Sequence, residues 1–479
     1  MKDGKTVFGL VVGTRGCFNT ELAIAGRTQL VAKLEALGYG SVILPTDATP
    51  NGLVEDAGDG FKCGRLFSDN RDIIDGIIVV LPNFGNELGV VHAIASAKLD
   101  VPILLQACDD DIDHVSDAER RDSFCGKISV ANNFYQYGIR FTDTAFHTSA
   151  IDSERFSADI RHFERVCRVT NGLRNARIGA IGARPRDFQT MRFSEKLLQA
   201  SGITVVSADL SEILGAAGRL DDDAAAVKAK IAEIQDYGKV VPDVRREHML
   251  RQAKLGIAIG DWIAENQVHA AGVQCWTSVQ QNYGCATCLS MSMLGEQLIP
   301  CACETDVAGV ISMYALMLAT GNPSALLDWN NNYGDAIDKC VCTHCSNYPS
   351  SFTFGKDATE KLEISYLGVL STTLGHDNCF GAVKGKVAPG DMTYFRLTTD
   401  DIHGTIRAYV GEGRFTDDPF PMKGGIAVCA IPELRKLLRY IIKNGFEHHV
   451  GMVREHCAAV IEEATSNYLG WNVYRHGED

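Results

Sequence analysis

The sequence predicts an α/β protein with two doubly wound parallel-sheet domains followed by a mostly antiparallel β C-terminal domain. Strand and helix patterns alternate along the first third of the chain, and the alternation resumes near Arg177. Continuous runs of Val, Ile and Leu indicate strands that are covered on both faces, as in a parallel sheet. From about Ser350, short strands separated by Gly and Asp turns indicate antiparallel pairing. We therefore expect domains at residues 1–175, 176–349 and 350–479.

The N-terminal domain is predicted from short apolar runs with helical periodicity between them. Such runs are too short for buried helices and are typical of buried strands. The predicted strands are Thr6–Val12, Gly40–Leu44, Asp75–Leu81 and Val101–Gln106, and the predicted helices are Glu21–Leu37 and Gly89–Lys98.

The central domain begins with ARIGAIGARP, which indicates a strand that enters a Gly-containing turn. Helical periodicity follows over Asp187–Ser201, Asp222–Tyr237 and Asp243–Asn266. Neither this turn nor GLVVGTRG near the N-terminus has the G-x-G-x-x-G spacing, and the sequence contains no G-x-x-x-x-G-K-[ST] phosphate loop. The sequence therefore disfavours an enzyme that uses NAD or ATP.

The C-terminal domain is predicted from short strands such as MTYFRLTTD and GTIRAYVGEGRF, closed by helices near Ile431–Lys443 and Met452–Thr465. Tyr394 and Arg396 lie in the first of these strands and are weak site candidates. A charged residue in a β segment is usually solvated, so we expect Arg396 to be exposed.

Composition and charge exclude several classes of partner. The 479 residues are 46% hydrophobic and carry a formal net charge of -14, which disfavours nucleic acid and anionic membrane surfaces as partners. No run of about 18 apolar residues occurs, so we expect no membrane span. The first apolar run is also too short for a secretory signal. Sixteen Cys residues without an export signal indicate reduced thiols and a cytoplasmic protein.

Two carboxylates flank a predicted strand-helix-strand segment. Leu298–Cys303 is predicted to be a strand that ends at Glu304, and Ser324–Leu327 a strand that ends at Asp328. If these strands are parallel neighbours about 4.8 Å apart, both carboxylates lie at the ligand-binding edge of the sheet. The alternative is a helix cap and a turn Asp that bind nothing.

Histidines near these carboxylates favour a metal site. His344 follows Asp328 at a distance of sixteen residues, and His448 and His449 lie in a predicted loop before the last helix. Carboxylate oxygens combined with imidazole favour Mn²⁺ or Mg²⁺ over thiolate-bound zinc.

A structural zinc site is the competing interpretation of this region. Its candidate ligands are Cys301, Cys303, Cys340, Cys342 and Cys345. Structural zinc usually binds paired C-x2-4-C motifs in loops, whereas the first two of these residues lie in a predicted buried strand. We therefore expect ordinary buried or half-buried thiols.

The segment CETDVAGVISMYALMLATGNPSALLDWNNNYG resembles the metal-binding segment of the L-fucose isomerase/L-arabinose isomerase superfamily, in particular its fucose-isomerase-like branch. Further matches are GTRGCF, LPNFGNE, QCWTSVQ, HCSNYP, GDMTYFR, HHVGM and GWNVY, so the resemblance covers most of the chain. It implies an aldose–ketose isomerase, in which a proton moves between C1 and C2 through an enediol.

The resemblance implies that Glu304, Asp328 and His449 bind Mn²⁺, with Mg²⁺ or Co²⁺ as substitutes. Glu304 and Asp328 would also be the catalytic acid/base groups. His344 would be either a further metal ligand, as in the arabinose isomerases, or a substrate contact.

The resemblance also suggests substrate contacts, which would be Arg15, Asn83, Gln274, Trp276, His344 and His448. Arg15 would reach the sugar across a subunit boundary, since family members form trimers or hexamers with sites at their interfaces. An ordinary turn arginine and a core tryptophan are the alternatives for Arg15 and Trp276.

The substrate is a small sugar that the sequence does not name: a hexose, deoxyhexose or pentose, or a sugar with a charged C6 group such as sulfoquinovose. The alternative functions are a metal-dependent sugar epimerase or dehydratase and a non-catalytic sugar-binding protein.

Overall fold

The computed structural model describes residues 4–113, 115–345, 347–354, 362–421 and 424–478. The chain divides into two compact units. The first comprises Met1–Asn171 with Glu463–Gly470, and the second comprises Gly172–Glu462 with Trp471–Asp479. The three-domain division expected from the sequence stays a prediction.

The first unit contains a five-stranded parallel sheet in the order β2-β1-β3-β4-β5. Its central strand has the sequence GIIVVL and is buried at every residue, because helices cover both faces of the sheet. The strands are β1 (Val7–Val12), β2 (Gly40–Ile43), β3 (Gly76–Leu81), β4 (Ile103–Ala107) and β5 (Thr142–Asp143).

Polar side chains begin the helices of this unit. The Asn19 side chain accepts a hydrogen bond from the backbone N–H of Glu21, and the Asn86 side chain accepts one from Gly89. The helices are α1 (Thr20–Ala36), α2 (Ala57–Asp69), α3 (Glu87–Ala97), α4 (Ser123–Gln136) and α5 (Glu154–Arg174), with a π-helical turn at Glu463–Tyr468.

The second unit begins with a four-stranded parallel sheet in the order β10-β9-β6-β7. Its strands are β6 (Arg177–Ile181), β7 (Thr204–Ala208), β9 (Ala270–Val273) and β10 (Cys301–Ala302). The helices of this region are α6 (Glu195–Ala200), α7 (Leu210–Arg219), α8 (Ala225–Tyr237), α9 (Arg246–Glu265), α10 (Ser278–Asn282), α11 (Cys288–Glu296) and α12 (Val307–Thr320).

A ten-stranded mixed sheet, mostly antiparallel, completes this unit in the order β19-β16-β15-β18-β11-β12-β17-β14-β13-β8. Its strands are β8 (Lys239–Val240), β11 (Ser324–Tyr333), β12 (Ala336–His344), β13 (Glu363–Tyr366), β14 (Phe380–Lys386), β15 (Gly390–Asp400), β16 (Thr405–Thr416), β17 (Gly425–Ala430), β18 (His449–Val453) and β19 (Asn472–Arg475). The remaining helices are α13 (Ser350–Phe354), α14 (Gly368–Leu374), α15 (Leu434–Lys443) and α16 (Ala458–Glu462). The predicted fold class, with two parallel α/β sheets and a mostly antiparallel third sheet, is confirmed.

The expectation that the strands before Glu304 and Asp328 are parallel neighbours is wrong. Strand β10 pairs with β9, whereas β11 pairs antiparallel with β12 and β18 in the large sheet. The reason is helix α12, which is buried from Val307 to Ala319 and contacts strands of both sheets. A helix that is apolar on all sides packs between two layers, so the chain leaves the small sheet along α12 and enters the large one.

The last predicted helix also begins later than expected. His449 starts strand β18 instead of lying in a loop, and α16 begins at Ala458. Within the described part of the chain, no helix combines the length and the apolar character that a membrane crossing requires.

Candidate metal centre

Glu304 lies at the end of β10 in a single 3-10 turn, Cys303–Thr305. Glu304 and Thr305 both have positive φ angles, 57° and 54°, a conformation that costs L-residues about 1–2 kcal/mol each. The neighbouring strand β9 approaches this turn closely at Gly272, where a Cβ atom would lie 2.9 Å from the Thr305 carbonyl carbon. Close packing of the turn against β9 therefore holds the buried Glu304 side chain in place.

Antiparallel pairing aligns Asp328 with His449 and brings the end of β12, which carries His344, alongside them. Asp328 on β11 is the register partner of His449 on β18 and of Thr343 on β12, the residue before His344. Directly opposed residues of an antiparallel pair place their side chains on one face of the sheet. The distance between His449 Nε2 and Asp328 Oδ1 is 3.4 Å.

Close contacts link these four side chains into one cluster. The Oε2 atom of Glu304 lies 3.6 Å from His449 Nε2 and 3.6 Å from His344 Nε2. The Nδ1 atom of His344 lies 3.7 Å from Asp328 Oδ1. Ligands that bind one divalent ion at about 2.1 Å lie roughly 3.0–3.4 Å apart, so small side-chain adjustments would complete a coordination sphere.

Three polar atoms of this cluster, Glu304 Oε2, Asp328 Oδ1 and His344 Nδ1, are buried without a hydrogen-bond partner. Buried polar atoms are almost always paired, and unpaired carboxylate oxygens are costly. Burial lowers the pKa of His344, but the Asp328 charge and other neighbours outweigh burial and raise that pKa well above its usual value. The cluster therefore favours a positive charge, and its donor set fits a divalent cation.

Asp306 orients His449. Its Oδ2 atom lies 2.8 Å from His449 Nδ1, and its two oxygens also accept hydrogen bonds from Arg396. Burial raises the pKa of Asp306, but the Arg396 guanidinium outweighs burial and holds that pKa well below its usual range. The charged carboxylate keeps the His449 proton on Nδ1, so the Nε2 lone pair faces the cluster.

The cluster forms the floor of a cavity of about 510 Å³, a size that suits a small ligand. Its walls include Phe188, Trp276, Val369 and Lys384. The Trp276 indole N–H donates to Glu304 Oε1 over 2.8 Å, which occupies one carboxylate oxygen and leaves Oε2 facing the other ligands.

Two family profiles match parts of this chain. A family profile described as "Fucose/sulfoquinovose isomerase, N-terminal domain" matches residues 9–174, and "L-fucose isomerase, C-terminal domain" matches residues 342–476. The chain belongs to the fucose isomerase-like family. Both the resemblance stated above and the aldose–ketose isomerase class are thereby confirmed.

Relatives of this fucose isomerase-like chain include three proteins named sulfoquinovose isomerase. The protein from Clostridium sp. (strain MSTE9) is 26% identical over 339 residues, which are 70% of this chain and 72% of the relative. The protein from Alkalicoccus urumqiensis is 23% identical over 62% of this chain and 65% of the relative. The protein from Priestia aryabhattai is 30% identical over 60% of this chain and 62% of the relative. The last two alignments thus span just under two thirds of those relatives.

Of two further predicted contacts in this unit, His448 lies beside the cluster. His448 is half-exposed, and its Nε2 atom lies 4.0 Å from Asp328 Oδ1. Gln274 instead accepts a hydrogen bond from the backbone N–H of Ala183 over 2.9 Å, and so ties the end of β9 to the turn after β6. Their roles as sugar contacts stay predictions.

Arg15 and Asn83 belong to the first unit, where both side chains have local partners. Arg15 pairs with Glu87 and lies over the Phe84 ring, 5.0 Å from its centroid. Asn83 is fully buried, accepts a hydrogen bond from Thr14 Oγ1 and donates one to the Asn19 carbonyl. Their assignment as sugar contacts also stays a prediction.

Sequence reasoning missed Asp306 and misjudged Arg396. Asp306 also caps α12, because its side chain accepts a hydrogen bond from the Gly309 N–H over 2.8 Å. An Asp at the start of a helix is common as a cap, so its position alone did not indicate a role in the metal centre. Arg396 was expected to be solvated but is fully buried and contacts both Asp306 and Glu447. An arginine within the apolar run MTYFRL was the available signal, because buried charges need buried partners.

Proposed function

We propose that this fucose isomerase-like enzyme is a Mn²⁺-dependent isomerase of aldohexoses that carry an anionic group at C6, the sulfoquinovose class. The observation that carries the proposal is the convergence of Glu304, Asp328, His344 and His449, with unpaired buried polar atoms, on the floor of one cavity. The names of the relatives support the substrate class.

The ligands of Mn²⁺ in this proposal are Glu304, Asp328 and His449, and His344 completes the ring of contacts around them. Two carboxylate oxygens and one imidazole nitrogen are a hard donor set, which favours Mn²⁺ and admits Mg²⁺ or Co²⁺. When bound, the ion supplies positive charge that acidifies the substrate C–H bond and stabilises the enediolate.

Glu304 and Asp328 carry out the proton transfers. One carboxylate takes the proton from C2 of the open-chain aldose and returns it to C1, while the other moves the proton of the C2 hydroxyl to the oxygen at C1. The product is the 2-ketose, and both carboxylates end in their starting states. The Trp276 hydrogen bond to Glu304 Oε1 keeps that carboxylate aimed at the substrate.

Lys384 would recognise the anionic group. It is the one Lys or Arg among the described residues that line the cavity, and its ammonium donates to Ser365 Oγ over 2.8 Å and lies 3.7 Å from Glu363 Oε1. An anionic sugar pairs with this ammonium, whereas a neutral sugar gains no such contact. Lys384→Gln should lower kcat/KM for sulfoquinovose at least about tenfold and leave any turnover of neutral aldoses unchanged. Lys339→Gln, which removes the partner of Asp418 outside the cavity, is the matched control.

The function is tested with metal-free enzyme and a panel of neutral and anionic aldoses. We expect exhaustive chelation to abolish turnover, Mn²⁺ to restore it best, and NMR of the product to show a 2-ketose. A C2 epimer or a deoxy-ulose would instead indicate an epimerase or a dehydratase. Sugar binding that survives Glu304→Gln, without turnover in the wild type, would indicate a binding protein. Full activity without metal would refute the mechanism.

The assembly and compartment are also part of the proposal. We infer a homotrimer or homohexamer in which Arg15 and Asn83 of one subunit reach the site of a neighbour, as the family resemblance implies. All sixteen cysteines are free thiols, which supports work in the reducing cytoplasm. Light scattering after gel filtration measures the subunit number, and a monomer with full activity would refute the shared site.

A further inference from the structure

Four thiols surround the backbone turn that carries Glu304. The sulfur atoms of Cys303 and Cys345 lie 3.7 Å apart, and the Cys275 and Cys288 thiols neighbour Cys303. We call these four residues the thiol cluster. The Cys275 thiol also donates to Glu304 Oε1 over 3.4 Å, so the cluster is continuous with the proposed catalytic carboxylate.

Two of these thiols combine with two residues of the metal centre. One ligand atom each from Cys303, Glu304, His344 and Cys345 can be chosen so that all four lie within 4.8 Å of one another. Zinc binds thiolates at about 2.3 Å, so two thiolates of a tetrahedral site lie roughly 3.8 Å apart. The observed sulfur separation of 3.7 Å matches this value.

We propose that Cys303, Cys345, His344 and Glu304 form a second cation site, which binds a thiophilic divalent ion of the Zn²⁺ and Cd²⁺ class. Two sulfurs, one nitrogen and one oxygen are a soft-to-borderline donor set, which selects such ions over Mn²⁺. Binding deprotonates both thiols and releases their protons to solvent.

The site is reachable from the cavity. Cys345 is half-buried and lines the cavity together with Glu304 and His344, whereas Cys303 is fully buried behind them. An ion entering the cavity therefore meets Cys345 and His344 first and then Cys303.

The second site shares Glu304 with the manganese ligands, and because Oε1 of that carboxylate accepts the Trp276 N–H, both ions would compete for Oε2. A thiophilic ion would displace Mn²⁺ and inhibit the enzyme. This competition rests on the proposed function, whereas binding of the thiophilic ion does not.

Binding is tested by titrating reduced, metal-free protein with Cd²⁺ and following the ultraviolet thiolate-to-cadmium charge-transfer band. We expect a band that saturates at one equivalent in the wild type. Cys345→Ser and Cys303→Ser should each weaken Cd²⁺ affinity at least about tenfold, because even residues that only support a metal ligand contribute that much. Cys301→Ser is the matched control, since Cys301 lies two residues earlier, is equally buried and contacts the Ile299 carbonyl instead.

Equal Cd²⁺ titrations of wild type, Cys345→Ser and Cys301→Ser would overturn the site. Circular dichroism checks that each variant folds. If a serine variant does not fold, Cys345→Ala takes its place, because Cys345 is only half-buried. An unchanged band in that variant would equally overturn the site.

Competition is tested by electron paramagnetic resonance of the Mn²⁺-loaded protein during addition of Zn²⁺. We expect free Mn²⁺ to appear in the wild type, and at least tenfold more Zn²⁺ to be needed in Cys345→Ser. Bound Mn²⁺ that persists at saturating Zn²⁺ would overturn the shared site. Failure of the protein to bind Mn²⁺ would count against the proposed function, and the Cd²⁺ titration would still decide the thiol site.

Discussion

The Nδ1 atom of His449 lies 2.8 Å from Oδ2 of Asp306, and both groups are buried. Asp306 is in turn held by Arg396, whose Nε–H donates to Glu447. This chain of charges fixes the imidazole that faces Glu304 and Asp328. It makes the metal centre depend on a carboxylate that does not itself face the cavity.

Asp306→Asn should weaken Mn²⁺ binding about 10–100-fold, because the neutral amide no longer holds the proton on Nδ1 of His449. It should also lower the free energy of unfolding by about 3 kcal/mol, because Arg396 loses a buried partner. Calorimetric Mn²⁺ titration and urea unfolding measure the two effects. Asp418→Asn is the control, because it removes a carboxylate from a more exposed ion pair. If both variants bound Mn²⁺ with the same affinity, the role of Asp306 would be contradicted.

Glu304→Gln and Asp328→Asn should each lower kcat at least about 10²-fold, because each removes both a proton carrier and a charged metal ligand. Turnover is measured at saturating Mn²⁺ and sugar, so that weaker binding does not hide the chemical effect. Asp335→Asn, at the exposed turn between β11 and β12, is the control and should keep wild-type turnover. Wild-type turnover in either site variant would exclude that carboxylate from catalysis.

Trp276→Phe removes the hydrogen bond to Glu304 Oε1 and keeps an aromatic ring in the cavity wall. We expect kcat to fall about tenfold, the value of a hydrogen bond to a charged group, with a smaller change in KM. Trp471→Phe also removes one indole hydrogen bond, to Ser201, away from the cavity. Steady-state kinetics measure kcat for both variants. An equal fall of kcat in Trp276→Phe and Trp471→Phe would refute a positioning role for Trp276.

Gly272→Ala should disturb the Glu304 turn, because the new Cβ would lie 2.9 Å from the Thr305 backbone. We expect a loss of about 1–3 kcal/mol in unfolding free energy, together with weaker Mn²⁺ binding. Gly218→Ala in α7 is the matched control, since no atom lies within 4 Å of its new Cβ. That control should be stabilised by up to about 1 kcal/mol. Unchanged stability and Mn²⁺ affinity in Gly272→Ala would contradict the close approach.

His248 should make stability depend on pH. Arg245 can only donate, so its contact with His248 Nε2 requires a neutral ring, whose Nδ1–H donates to the Tyr366 hydroxyl. Burial, and then the Arg245 charge, lowers the pKa of His248 below its usual 6.5. As the pH falls below 6.5, His248 binds a proton in the unfolded chain before it does so in the folded chain. The contribution of His248 to the free energy of unfolding is therefore present above pH 6.5 and is lost on acidification.

Urea unfolding of wild type and His248→Gln checks this expectation. The stability advantage of the wild type should be largest near about pH 8 and should shrink by about pH 5.5. An advantage that stays constant over this range would mean that His248 is not held neutral.

The sequence predicted most strands of the first unit to within two residues. The strand predicted at Asp75–Leu81 is β3, Gly76–Leu81, and the helix predicted at Glu21–Leu37 is α1, Thr20–Ala36. These elements are defined by local apolar runs and periodicity, which are visible without any partner. The route after α12 was not predictable in this way, because a helix that is apolar on every side does not indicate which sheet receives the next strand.

The four residues of the cluster, Glu304, Asp328, His344 and His449, could be named from the sequence, since carboxylates and imidazoles near strand ends have a limited range of chemical uses. How they meet was decided by the tertiary structure alone. Asp328 and His449 are brought together by antiparallel register across 121 positions of sequence, which no local pattern encodes. The same holds for the support that Asp306 and Arg396 give to His449, and for the approach of Cys345 to Cys303. Residue type sets what each group can bind or donate, whereas long-range packing sets which groups share one point in space.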